Sequence, residues 1–175
     1  MSETDRSELE VAGGLATMMG VVVITSAMLD HWVDGMVSCV FDRVDGAKQI
    51  RRQRPFNTKD EAEFLRQSFG ELAPLRPYRD EAIELLDKLE PVVKFRRNIV
   101  NGRLRNPDFR VGVLEFSRAA PGDDRKPVRR FAVTEEDLVR QGEKTKALIG
   151  PFMKLTHRLA EEFDPDHISI PKALQ

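Results

Sequence analysis

The first half of the chain contains a run of 19 residues without a charged side chain, from Val11 to Leu29. A helix of about 20 apolar residues is long enough to cross a bilayer, so the run fits either a membrane span or a core helix. It contains three glycines, two threonines and a serine, and the helical apolar pattern continues past Asp30 and Asp34 to Phe41. A membrane-spanning pattern would end at the edge of the bilayer. We therefore predict a buried core helix and no membrane span.

The charge balance is that of an ordinary soluble protein. The 175 residues include 28 Lys+Arg and 29 Asp+Glu, a net charge of -1, so any basic surface must be local. The one cysteine, Cys39, lies in an apolar helical pattern, which predicts a buried thiol and suits a reducing, cytoplasmic compartment. Three scattered histidines and one cysteine lack the spacing of a metal site, so we expect neither a metal nor a cofactor.

Apolar periodicity predicts a mainly α fold, an antiparallel bundle of about four long helices. The first helix runs from near Val11 to a stop at Asp45-Gly46, and the second begins after Asn57, a good N-cap. The third extends from about residue 78 to Gly102. Pro91 lies inside it and predicts a kink or a short break.

A change of periodicity after the third helix predicts a small β-hairpin at about 108–133. Alternating side chains between 109 and 117 indicate one strand, residues 121–124 a turn, and 128–133 the returning strand. Thr134 and Asp137 resemble a capping box and begin a fourth helix, from about 135 to 163. We predict a flexible tail at 1–10, one domain at 11–164, and an extended tail at 165–175.

A basic segment, Lys48 to Pro55, joins the first two helices. The favoured interpretation is a solvated connection, and the alternative is an arm that contacts phosphate.

A second basic segment lies at the end of the third helix. Arg96, Arg97, Arg103, Arg105 and Arg110 fall within 15 residues that contain one acid. Because a guanidinium binds phosphate through two parallel hydrogen bonds, the segment predicts a local polyanion-binding patch. Structural roles would also suit these residues: the arginines could pair with acids of the bundle, and an Asn-Gly pair can end a helix through left-handed backbone angles.

The order of elements, together with residues 96 to 102, resembles a group of bacterial proteins of the HEPN superfamily. Their third helix ends in Arg-Asn-x-Ile-Val-His-Gly. Here Arg96 matches the family arginine and Asn101 stands where the family has its histidine, while Ile99, Val100 and Gly102 match outright. The resemblance implies a homodimer that brings two motifs together, with arginine on the scissile phosphate and histidine supporting attack by the ribose 2′-hydroxyl.

The exchange of histidine for Asn101 changes the expected chemistry. An amide has no titratable proton near neutral pH, and the loss of acid–base help typically lowers a rate by roughly 10²- to 10⁴-fold. Asn101 can still form hydrogen bonds with phosphate, ribose or a base edge. His157 could replace the histidine only if the fourth helix brought it beside Asn101, and a surface position is the favoured interpretation.

We therefore predict a protein that binds RNA or another polyanion, with nuclease activity weakened or lost. The predicted binding residues are Arg96, Arg97, Asn98, Arg103 and Arg105, and Arg96 and Asn101 are the candidate catalytic pair. The resemblance also implies a toxin–antitoxin or defence setting, with an antitoxin-like protein as a partner. Two alternatives remain open: an active, metal-independent endoribonuclease, and a non-enzymatic scaffold whose arginines pair with acids.

Overall fold

A computed structural model describes residues 3–109, 111–118 and 129–164. These residues form a mostly helical fold with a small antiparallel sheet. The elements, in chain order, are α1 (Glu3–Arg43), α2 (Ala47–Ile50), α3 (Thr58–Glu71), a 3-10 helix (Ala73–Tyr78), α4 (Arg79–Val100), β1 (Arg103–Asp108), β2 (Val113–Arg118), β3 (Arg129–Thr134) and α5 (Glu135–Phe163). The predicted fold class is thus confirmed at this level, while the bundle of four long helices stays a prediction.

Helix α1 begins earlier than predicted, at Glu3, so residues 3–10 are helical and not a flexible tail. The predicted stop is confirmed. Gly46 has a φ of 89°, a left-handed angle that a side chain would strain, and α1 ends three residues before it, at Arg43.

The burial of α1 differs between its two halves. In the second half, the apolar residues from Val33 to Val40 are fully or almost fully buried, as predicted for a core helix. In the first half, the predicted burial on several faces is wrong: the apolar window that is long enough to cross a membrane is only 17% buried. Leu15 and Val22 face inward, but Ile24 is 63% exposed. The described part of the chain covers one face of this segment.

Helix α4 continues through Pro91, so the predicted short break is wrong, while the kink that was its alternative stays a prediction. A proline removes one helical hydrogen bond, and the carbonyl that loses its donor here belongs to residue 87, four positions earlier. Asp87 lies on an exposed part of the helix, where water can hydrate that carbonyl. The loss is therefore tolerated.

Three strands form the sheet: β2 and β3 are the predicted hairpin, and β1 is an additional strand that the sequence did not predict. They pair antiparallel in the order β1-β2-β3, with a register shift in β1 between Leu104 and Pro107. Asn106-Pro107 suggested a loop, but a proline is compatible with an edge strand such as β1. The first predicted strand corresponds to β2, which starts at Val113 after a turn with Gly112 at a φ of 63°. The predicted turn at 121–124 and the tail at 165–175 lie outside the described residues.

Helix α5 has the predicted bounds, and its capping box is confirmed. The backbone N–H of Asp137 donates to the Thr134 hydroxyl at 3.1 Å, and the Thr134 N–H donates to the Asp137 carboxylate at 3.2 Å. Asn57 likewise caps α3 by accepting from the Asp60 N–H. Both caps satisfy backbone donors that a helix start leaves without partners.

The predicted domain at 11–164 contains two compact units. Unit 1 comprises 1–26 with 91–146, and unit 2 comprises 27–90 with 147–175. The core of unit 1 joins α1, the end of α4, the sheet and the start of α5; its buried residues are Leu15, Val22, Ile99, Leu114, Phe116, Val133 and Leu138. Unit 2 has its own buried side chains, among them Met36, Phe64, Phe69 and Phe152.

Cys39 is buried in unit 2, as predicted. Burial, and then the negative charge of Asp164, raise the pKa of its thiol to about 11. The thiol therefore stays protonated and unreactive at neutral pH.

Unit 2 also contains a buried carboxyl that the sequence did not predict. Glu61, in the first turn of α3, is 6% exposed. Burial first, and then the charges of Asp34 and Asp30, raise its pKa to about 7, although Arg54 acts in the opposite direction. Ionised Glu61 is therefore unfavourable in the folded protein.

Replacing Glu61 by glutamine tests this conclusion. Because the folded pKa lies above the unfolded value, the folded state binds more protons between about pH 4.5 and 7, and stability falls as the pH rises through that range. Urea unfolding should show that wild type loses about 1–2 kcal/mol between pH 5 and pH 8, and that Glu61→Gln removes most of this loss. The exposed Glu63→Gln on the same helix is the control and should leave the pH dependence intact.

Candidate nucleic-acid interface

The predicted site begins at the last turn of α4. Arg96 is half-buried and has an interaction partner, whereas Arg97 is exposed and forms no ion pair among the described residues. Asn98 is half-buried, and its side-chain oxygen accepts a 3.5 Å hydrogen bond from the guanidinium of Arg118 in β2. Asn101 is exposed just beyond the helix, and its N–H donates to the Arg97 carbonyl. The helix end therefore carries two arginines and two amides, with a third arginine from the sheet.

Gly102 is required by close packing and not, as the sequence suggested, by a left-handed backbone angle. The left-handed helix ending is wrong, because Gly46 and Gly112 are the glycines with positive φ among the described residues. A Cβ on Gly102 would instead clash with the Asn98 carbonyl oxygen and lie 3.0 Å from the Phe116 ring. The glycine lets the chain leave α4 and enter β1 close against the core.

A second group of arginines lies on the outer face of the sheet. Arg103 pairs with Ser117, which pairs in turn with Arg130, so these three residues form one row across the strands. Paired residues point to the same face, and the next row, with Phe116, faces the core. Arg105 covers Ser117, because its Nε donates to the Ser117 hydroxyl at 2.8 Å. Antiparallel pairing thus adds Arg130 to the predicted Arg103 and Arg105.

We call the following residues the arginine surface: Arg103, Arg105 and Arg130 on the outer face of the sheet, Arg118 on the face of Phe116 beside Asn98, and Arg97 at the end of α4. Six other arginines differ from these because they have carboxylate partners, whereas Arg52, Arg76 and Arg79 also form no ion pair among the described residues. The arginines with carboxylate partners are Arg43, Arg51, Arg54, Arg66, Arg140 and Arg158. No ion pair joins the arginine surface to an acid among the described residues. Two exposed acids also belong to the outer face by strand register, namely Glu115 in β2 and Asp108, which pairs with Val113.

The basic connection between α1 and α3 is partly neutralised. Arg51 pairs with Asp60 at 3.0 Å, and Arg54 pairs with Asp34 at 2.5 Å. This favours the structural interpretation of that connection over a phosphate-contacting arm.

The acid–base chemistry of the site is limited. The described part of unit 1 contains no histidine, since His31 and His157 belong to unit 2 and His167 lies outside the described residues. His157 is exposed, as predicted, and its ring lies 5.1 Å from that of Trp32. Asn101 therefore has no histidine in its own unit, and the residues at hand suit binding of anions better than proton transfer.

Sequence reasoning missed Arg118 and Arg130 as members of the site. They lie 13 or more positions beyond Arg105, and only strand pairing brings them near it. The one sequence signal for including them was that they lie at the two ends of residues 118–130, a basic segment with few apolar side chains. Arg110, which the sequence also placed in the patch, lies outside the described residues.

Comparisons of the chain with protein-family models, with the curated proteins and with the solved structures found no match. The resemblance to the HEPN superfamily therefore stays a prediction. The chemistry of the arginine surface carries the functional interpretation.

Replacing Gly102 by alanine should destabilise the site. The added Cβ forces apart α4 and the core residue Phe116, at a cost of about 1–3 kcal/mol in the free energy of unfolding. Chemical denaturation measures the change. Gly70→Ala is the control, because nothing lies within 4 Å of its Cβ position; a similar loss in both variants would contradict the close approach at residue 102.

Proposed function

We propose that the arginine surface binds the phosphate backbone of RNA, and that nuclease activity is weakened or lost. The observation that supports this proposal is the absence of carboxylate partners for these arginines within the described residues, in a chain of net charge -1. In such a chain, a guanidinium without a carboxylate partner is available to an external anion.

The hydrogen-bonding geometry suits phosphate. Among the described residues Arg105 donates only its Nε–H, to Ser117, and this leaves the other four guanidinium donors for an anion. Arg118 is oriented by the neutral amide of Asn98, so its charge is not cancelled. Exposed Arg97 and Arg103 lie at the end of α4 and the start of β1, one on each side of Asn101 in sequence. A strand of phosphates could therefore contact several guanidinium groups in succession.

The choice of RNA over other polyanions depends on the HEPN resemblance of residues 96–102. Exposed Asn101 adds an amide that can donate to and accept from a ribose 2′-hydroxyl. Few aromatic side chains accompany the arginines, so contacts to the backbone, and not base stacking, would dominate the affinity. The expected binding is consequently sensitive to salt and tolerant of sequence.

A titration of labelled single-stranded RNA of mixed sequence tests the proposal. With five arginines in contact, the affinity should fall roughly 100-fold between about 50 and about 200 mM salt. Arg97→Ala and Arg103→Ala should each weaken binding several-fold and make the salt dependence less steep by about 0.7. Fluorescence anisotropy gives both quantities.

Arg140→Ala is the matched control, because it removes the same charge from unit 1 at a residue paired with Asp137. It should leave RNA affinity nearly unchanged. Undetectable binding at low salt would contradict the proposal and favour a scaffold role. Cleavage of the RNA by concentrated protein in the presence of a chelator, lost in Arg96→Ala, would instead establish an active endoribonuclease.

A further inference from the structure

The first half of α1 has an apolar face that the described residues leave uncovered. Leu15 and Val22 point into the core of unit 1, whereas Leu9 is 62% exposed and Ile24 is 63% exposed on the opposite side. We call this outer side the α1 outer face; it comprises Leu9, Gly13, Ala16, Gly20, Val21, Val23 and Ile24. No charged residue occurs between 11 and 29, so the polar side of an ordinary amphipathic helix is missing.

The extent of this face is typical of an interaction site. Its four large side chains, at positions 9, 21, 23 and 24, are each between 42% and 63% exposed. Together they present about 400 Å² of apolar surface, within the size range of patches that are often functional. The small residues and threonines beside them add to this exposed area. The total approaches the smallest area that a stable interface buries on each partner.

Small residues form the centre of the α1 outer face. Gly13, Ala16 and Gly20 are spaced by three and four positions, which places them on one stripe of the helix. Nothing lies within 4 Å of a Cβ built on either glycine, so packing inside this chain does not require them. Glycine weakens a helix interior, but it allows the backbone of another helix to approach closely.

The polar groups on this side are already satisfied within the helix. The Thr17 hydroxyl donates to the Gly13 carbonyl at 2.9 Å, and the Thr25 hydroxyl donates to the Val21 carbonyl at 2.8 Å. Removing water from the face would therefore leave neither hydroxyl without a partner.

A lipid bilayer is a poorer occupant than another helix. If this segment crossed a membrane, the sheet packed on its inner side would bring Glu115 and Arg130 to membrane depth, with open strand edges. Binding flat on an anionic membrane needs basic residues beside the apolar face. Here Glu8 and Glu10 precede the run, and no lysine or arginine occurs between residues 7 and 42.

We infer that the α1 outer face binds the same face of a second copy of this chain, with the two helices antiparallel. A two-fold axis between residues 16 and 20 sets Ala16 opposite Gly20 and Gly13 opposite Val23, so that Val23 meets a residue without a side chain. A parallel pair would place Glu8 and Glu10 beside the same residues of the partner. The inference does not depend on RNA binding, because it uses none of the arginine surface.

Sedimentation velocity on the full chain tests the association. Wild type should change from the 19.9 kDa monomer to a dimer as its concentration rises through the micromolar range. Ile24→Glu and Gly20→Leu should each raise the dissociation constant at least about tenfold, the first by placing a charge in an apolar contact and the second by blocking close approach. Because leucine is a better helix former than glycine, Gly20→Leu should not lower the thermal midpoint of the monomer.

Val139→Glu is the control, since Val139 is a 50% exposed apolar residue on α5 outside the α1 outer face, and this variant should still dimerise. A wild type that stays monomeric at every concentration would overturn the inference, as would equal weakening by Val139→Glu. Flotation with vesicles of phosphatidylcholine and phosphatidylglycerol, lost in Ile24→Glu, would also overturn it in favour of lipid. RNA affinity measured on the same variants keeps this result separate from the proposed function.

Disulfide trapping tests the orientation. Mixing Gly13→Cys with Val23→Cys should give a cross-linked heterodimer, and neither variant alone should cross-link efficiently. Buried Cys39 should not interfere. Efficient cross-linking of each single variant to itself would overturn the antiparallel arrangement.

Discussion

The inner face of α1 packs against the sheet, and the position of the arginine surface depends on this contact. Leu15 and Val22 share one core with Leu114 and Phe116 of β2. Because successive strand residues alternate between faces, burying Phe116 turns the row through Ser117 outward. The arginines that flank this row reach solvent as a consequence. A shift of one residue in strand register would bury them, at a high cost in desolvation.

The same contact leaves the other side of α1 uncovered. A helix that is apolar all round needs burial on several faces, and the strands supply one. No described atom lies within 4 Å of a Cβ built on Gly13 or Gly20, so packing against the described residues does not require glycine at either position. A second copy would supply the missing cover and would account for a run that, by length and composition alone, also suits a membrane.

Charge is distributed unevenly in a nearly neutral chain. Many acids are occupied by arginines elsewhere, as Asp60 is by Arg51, or lie buried, as Glu61 does. The arginine surface is oriented instead by neutral groups, namely the hydroxyl of Ser117 and the amide of Asn98. Neutral partners hold a guanidinium in place without cancelling its charge, and this combination suits the binding of an anion better than catalysis by proton transfer.

Local signals in the sequence predicted local structure well. The stop at Gly46, the Asn57 cap and both ends of α5 follow from backbone angles and hydrogen bonds that span only a few residues. Strand β1 and the continuity of α4 through Pro91 did not follow, because they depend on where a distant strand or solvent lies. The membership of the arginine surface and the exposure of α1 were likewise decided by tertiary contacts. Apolar periodicity predicts which side chains would be stabilised by burial, because it depends on the sequence alone. Long-range packing determines which of them are actually buried.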